Sequence, residues 1–161
     1  MADTPLHFDI AEMADILHQV SMIYVSSNIP IDYGTGEKYT AAEVHMLKYI
    51  VDHPGETVTS LSQNWDKTKA AISQMLKKME QKHLIRHTSA PDSLKKQLYY
   101  ATESGKELDQ AHRHYDSVIF GKTLETVRQY CTDEEIAACF HVLPAISKAI
   151  RSKHYRSLPE E

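Results

Sequence analysis

The chemistry open to this chain is concentrated in its lysines. Between residues 67 and 96 stand eight basic residues (Lys67, Lys69, Lys77, Lys78, Lys82, Arg86, Lys95 and Lys96) against two acids, Glu80 and Asp92. That segment carries +6, while the whole chain is at −4, so the remainder is strongly acidic. An acidic body with one concentrated basic segment is the electrostatic footprint of a protein that binds a polyanion. Lys67, Lys69, Lys77 and Lys78 can neutralise phosphates, releasing the counterions condensed on a nucleic acid. Thr68, Ser73 and Gln74 carry short hydroxyl or amide groups that can meet phosphates or base edges. Ala70 and Ala71 are small enough to let a helix sit deep in a groove.

A second set of residues invites acid–base or metal chemistry. The chain has ten histidines, yet it contains no His-Glu-x-x-His, Cys-x-x-Cys, Gly-rich phosphate loop or Gly-x-Ser-x-Gly sequence. No enzymatic activity is expected. His112 and Asp116 are four apart and share one helix face, and imidazole with carboxylate is a donor pair that suits zinc. His114 is two residues from His112 and points elsewhere. Cys131 and Cys139 are too few and too close in sequence for a disulfide framework. They read as small core residues of a protein in a reduced cytoplasm. The first 15 residues lack a basic start followed by an apolar run, so no secretion signal is expected. No stretch nears the roughly 18 apolar residues that a membrane span requires.

These groups must be positioned by helices, since helix formers dominate and only five glycines are present. A first helix is expected from Asp9 to Ser27, with Ile10, Met13, Ile16, Leu17, Val20, Ile23 and Tyr24 recurring at three and four. Asn28–Lys38 reads as a loop, broken by Pro30, Gly34 and Gly36. Thr40-Ala41-Ala42-Glu43 is a capping box that opens a helix ending at Pro54-Gly55. A short helix follows, with Thr59 as its expected cap and Leu61 and Trp65 facing inward. The next runs from about Lys69 to His83, capped by Thr68 or Asp66. Its stripe of Ile72, Met75, Leu76 and Met79 leaves Lys69, Ser73, Gln74 and Lys77 on the other side. Leu84–Thr88 and Gln97–Thr102 read as strands of a hairpin whose tip carries Lys95 and Lys96. A long helix is expected from after Thr102 to about Tyr130. A second capping box, Thr132-Asp133-Glu134-Glu135, opens a last helix to Arg151, and Pro144 inside it is expected to kink it. The tail from Ser157 to Glu161 is expected to fray.

The order of helix, short helix, basic helix and hairpin is that of a winged helix-turn-helix. The chain resembles the MarR family of bacterial regulators over about Tyr39 to Glu107. The resemblance is carried by Tyr39–Val44 opening a helix, Leu61-Ser62-Gln63-Asn64-Trp65, the run Lys69–Glu80 as recognition helix, Leu84-Ile85-Arg86 as first wing strand, and Tyr99–Lys106 leading into the long helix. It departs from the family in the wing, where Leu94 falls at the place of a minor-groove arginine and Lys95 and Lys96 would substitute. It departs again at His83, where the family often has glycine. The resemblance implies a mostly α fold with a small β-hairpin wing. Residues 39–102 would be the DNA-binding domain, and residues 1–38 and 103–161 a helical region that joins two copies. The amphipathic terminal segments support this independently, having no other obvious partner in so small a domain.

The function so implied is that of a homodimeric regulator, by family default a repressor, on a pseudo-palindromic site in double-stranded DNA. Its DNA-binding residues would be Lys67, Thr68, Lys69, Ala70, Ser73, Gln74, Lys77, Lys78, Lys95 and Lys96. A small-molecule effector would sit between the winged domain and the terminal helices, with Tyr24, His45, Tyr49 and Tyr115 as wall residues. A zinc-sensing branch of the family has histidines at places similar to His45 and His112, which would make His45, His112 and Asp116 a metal set. That branch also draws ligands from the end of the first helix, where this chain offers Asp32 and Glu37. A protein-interaction module that kept the fold without binding DNA is the rival reading, but it has no need of the +6 segment.

Overall fold

The computed structural model describes residues 9–26, 29–91 and 93–151. Helix α1 (Ile10–Ser26) is followed by a pair of two-residue strands, β1 (Ile31–Asp32) and β2 (Lys38–Tyr39). Then come α2 (Ala41–Asp52), α3 (Val58–Asn64), α4 (Lys69–Gln81), the antiparallel pair β3 (Ile85–Ala90) and β4 (Ser93–Ala101), and the helices α5 (Glu103–Val127) and α6 (Asp133–Arg151). The expected order of helices and hairpin is present. Pro144 lies within a continuous α6. The terminal segment expected to fray lies outside the described residues, as does Asp92 in the wing.

Caps account for several of the boundaries. Thr40 starts α2 with the expected reciprocal box: its hydroxyl accepts from the Glu43 amide, and the Glu43 carboxylate accepts from the Thr40 amide at 2.8 Å. Thr132 and Glu135 exchange the same two bonds at the start of α6. Helix α3 departs from expectation. Its cap is Thr57 rather than Thr59, and Ser60 takes the part that a glutamate usually plays. Helix α4 is capped by Thr68, whose hydroxyl accepts from the Ala71 amide. It ends at His83, which sits at φ +56 in the left-handed region where glycine is favoured.

Two further expectations need correction. The segment expected as plain loop pairs Ile31 with Tyr39 and Asp32 with Lys38. The Asp32 carboxylate gathers the amides of Gly34, Thr35 and Gly36, which closes the turn. In the wing the strands are longer than expected. Ser89 faces Gln97 but Ala90 faces Ser93, so Lys95 and Lys96 lie in an irregular stretch of β4 and not at the tip.

The core sits in the winged domain. Val44, Met46, Leu47 and Ile50 of α2 pack with Leu61, Ile72, Leu76, Met79, Leu84, Ile85 and Tyr99, and α5 adds Leu108. The terminal helices are different. Helix α6 buries no residue, and α1 leaves Ile10, Ile23 and Val25 at 77%, 64% and 72% exposure. Cys131 and Cys139 are likewise exposed, against the core role expected of them. The first follows the end of α5, and the second lies on α6, none of whose residues is buried within one chain. No helix among the described residues is long and apolar enough to cross a membrane.

Candidate DNA interface and metal cluster

Helices α3 and α4 are joined by a tight turn in which Asp66 adopts φ +48 and the Lys67 amide donates to the Ser62 carbonyl at 3.1 Å. Ile72, Leu76 and Met79 anchor α4 to the core. The opposite side presents Lys69, Ala70, Ser73, Gln74, Lys77 and Lys78, all exposed, with Lys67 and Thr68 exposed just before them. Gln74 and Lys78 line a cleft of about 220 Å³ with Thr40 and Glu43 at the start of α2. Ser73 and Lys77, also one turn apart, occupy the adjoining flank. Lys95 and Lys96 of the wing line another cleft, of about 310 Å³, opposite Thr57 and Thr59. The remaining two cations of the basic segment have structural partners. Lys82 donates to Glu43 at 3.1 Å and lies 4.5 Å from the centre of the Tyr39 ring, and the Arg86 guanidinium lies 5.2 Å from that of Tyr100. Glu43 is thereby held below the usual carboxylate range: burial opposes this, but the Thr40 amide and the Lys82 ammonium outweigh it.

A separate cluster lies where α2 meets α5. His45, His112 and Asp116 bring one donor atom each to within 4.8 Å of one another. His112 Nε2 is 3.1 Å from an Asp116 oxygen, and the His45 and His112 rings meet edge to face at 4.9 Å. His112 is 1% exposed, whereas the other two donors are open to solvent. Burial pushes the His112 imidazole below its ordinary value; the Asp116 charge opposes that shift and His45 adds to it. A neutral imidazole is the form that ligates a metal. Two imidazoles and a carboxylate are ordinary zinc donors and leave a fourth position for water. The residues therefore fit a divalent ion of the zinc class. Asp32 and Glu37 do not join: the first closes its own turn and the second accepts from the Tyr39 hydroxyl.

No family model matches the sequence. A curated relative, an uncharacterized HTH-type transcriptional regulator YhjH of Bacillus subtilis (strain 168), is 27% identical over 108 residues, which are 67% of this chain and 61% of the relative. The chain thus matches about three fifths of that relative's length. Streptococcus pneumoniae FabT, solved in complex with DNA, superposes with a TM-score of 0.68 at 16% identity over 88% of this chain and 97% of its own. A zinc-responsive MarR family member, Lactococcus lactis ZitR, superposes with a TM-score of 0.60 at 18% identity, over 88% of this chain and 99% of its own. The chain has the fold of the MarR family regulators.

Within this MarR fold, the four residues expected to wall an effector pocket do not converge on one cavity. Tyr24 and His45 line a cleft of about 730 Å³ with Arg113, Asp116 and Phe120. Tyr49 shares a different cleft, of about 440 Å³, with His45, Lys48, Trp65 and Arg151. Tyr115 packs edge to face against Tyr33 at 5.3 Å. His45 and Lys48 border both clefts.

Some residues of the site were not singled out from the sequence. Tyr33 packs edge to face on His112 at 5.4 Å. Arg113 donates to Asp109 and to Asp52, each at 2.7 Å, and Lys48 donates to Asp52 at 2.7 Å. This chain of ion pairs ties α5 to α2 beside the cluster. The spacing of Asp109 and Arg113 was a legible signal for a helix pair; Tyr33 and Asp52 had none, because only the tertiary fold brings them near.

Proposed function

We propose that this protein is a sequence-specific regulator of transcription that binds a pseudo-palindromic site in double-stranded DNA as a homodimer. One observation carries the reading: the exposed side of α4 is built from lysines, hydroxyls and an amide over a well-packed core, with two more lysines on the adjacent wing. A helix so furnished suits a major groove, and the wing suits the neighbouring backbone. The likeness to FabT, itself solved with DNA, supports this. The exposed apolar faces of α1 and α6 support two copies, because so much uncovered hydrocarbon is costly in a lone chain. Selection of bound sequences from random duplexes tests the reading and yields the operator; failure to enrich any sequence would end it.

The uncharged and the charged side chains of α4 then separate reading from positioning. Gln74→Ala is expected to cost about 1–3 kcal/mol on the operator, to relax preference at one base position and to leave the salt slope unchanged. Lys77→Ala is expected to weaken operator and scrambled duplex alike and to lower the salt slope by about one unit. Titrations at several salt concentrations check both. Equal losses on the two duplexes for Gln74→Ala would move that residue to the phosphate contacts.

For the effector, the geometry favours a divalent ion of the zinc class at His45, His112 and Asp116 over an organic ligand, since the donors converge and the expected pocket walls do not. The likeness to zinc-responsive ZitR agrees with it. Zinc at a hundred times its dissociation constant stabilises a fold by about 2.7 kcal/mol, a rise of roughly 5–10 °C in melting temperature for a chain this long. His112→Ala is expected to abolish the rise, whatever it does to the metal-free melt. Equilibrium dialysis that finds no tight zinc at neutral pH would refute this effector.

A further inference from the structure

Among the described residues, two side-chain atoms are buried without a hydrogen-bond partner: Asp109 Oδ1 and His112 Nδ1. Buried polar groups are rarely left so, and each such atom calls for a physical reason. These two lie three residues apart on α5, hence on the same face of the helix, and both residues are buried. One atom is an acceptor. The other becomes a donor whenever the proton of the imidazole resides on it. The remaining atoms of both groups are already committed. Asp109 Oδ2 accepts from Arg113 Nε at 2.7 Å, and His112 Nε2 faces Asp116 at 3.1 Å. Arg113 is itself held by Asp52 of α2, so the Asp109 carboxylate has little freedom to turn away.

A metal at Nε2 would take the lone pair of that nitrogen and fix the proton on Nδ1. The ring would then hold a buried N–H with an unpartnered carboxylate oxygen one turn away. Ligating histidines commonly donate their second nitrogen to a carboxylate, which sets the ring orientation and strengthens the ligand. Resting on the metal reading above, we propose that Asp109 is the positioning residue of this centre, accepting the His112 Nδ1 proton through Oδ1 while Arg113 pins its other oxygen toward α2. The two orphaned atoms are the open ends of that bond, which closes when the ion binds. Asparagine cannot replace the carboxylate, because Arg113 claims the amide oxygen and the NH2 group is left facing Nδ1–H.

The test uses the full chain and zinc alone. Competition titration is expected to give Asp109→Asn a zinc affinity about 10–100-fold below the parent protein. In the parent, ¹⁵N spectra of the histidines should show His112 changing on zinc addition to a form ligated at Nε2 and protonated, with a strongly hydrogen-bonded proton, at Nδ1. Asp109→Asn should lose that proton's downfield shift while its metal-free circular dichroism remains folded. A twofold or smaller change in affinity overturns the proposal, as does ligation through Nδ1. If Asp109→Asn does not fold, the parent spectrum decides alone. A parent protein that takes up no zinc overturns the metal reading and this proposal together, whereas tight zinc with an indifferent Asp109→Asn overturns this proposal only.

Discussion

Gly105→Ala is expected to destabilise the protein by about 3 kcal/mol or more, the largest effect we foresee from a single methyl group. Gly105 lies in the first turn of α5, where Thr102 caps the helix and also donates to the carbonyls of His83 at 2.6 Å and Leu84 at 3.0 Å. These bonds draw the start of α5 against the start of β3. A Cβ built on Gly105 would stand 2.0 Å from the Leu84 carbonyl oxygen and 3.2 Å from Leu47 Cδ1. The first contact is with backbone, which cannot step aside as a side chain can. Overpacking a core costs roughly 1–3 kcal/mol, and more where backbone must move. The measurement is the urea midpoint with its slope. An unfolding free energy within about 0.5 kcal/mol of the parent, the range usual for neutral surface changes, would show that α5 can lift off the strand freely.

The other large effect concerns the terminal helices. A chain lacking residues 1–26 is expected not to form the proposed dimer and, with that, to lose about 10²–10⁴-fold in operator affinity. The reason is geometric: two linked recognition helices bind the second half-site at a high effective concentration, and a separated pair does not. Helix α1 supplies exposed Ile10, Ile16, Val20 and Ile23 to the surface that two copies would share. It also lines an apolar groove with Ile146 and Ile150 of α6. Sedimentation and a DNA titration check both parts. A well-behaved monomer that grips the operator as tightly as the full chain would sink the idea.

What could be read from the sequence was whatever rests on local periodicity and local hydrogen bonding. The boxes at Thr40 and Thr132 announce their helices because the bonds span three residues. The cap of α3 reads as Thr59 and is Thr57 because three hydroxyl residues, Thr57, Thr59 and Ser60, crowd one short stretch, and Ser60 reaches back in place of a carboxylate. Two-residue strands such as β1 and β2 carry no periodicity at all. The wing lysines read as the tip of the hairpin because an irregularity in strand register leaves no mark on residue type.

For the candidate site the division is similar. His112 and Asp116 announce a shared face by their spacing. The place of His45 beside them followed from the family resemblance rather than from its own neighbours, and depends on how α2 lies across α5. Tyr33 reaches the cluster from the turn before α2, and Asp52 meets Arg113 from the far end of α2, so no local pattern could have named them. Cys139 is exposed because α6 buries no residue within one chain, which residue type alone does not reveal.

Helix α5 is 25 residues long, with the cluster in its first half and exposed Val118 and Ile119 in its second. At 1.5 Å per residue it is a rod of about 37 Å, nearly the spacing of two successive half-sites on DNA, about 34–36 Å. Such a rod acts as a lever. A tilt of about 5° about the point where Arg113 ties it to Asp52 of α2 sweeps the far end, roughly 21 Å away, through about 2 Å. A displacement of that size is comparable to a whole hydrogen bond. In the proposed dimer, a small adjustment beside His45, His112 and Asp116 would therefore be enough to bring two reading heads into, or out of, step with the grooves.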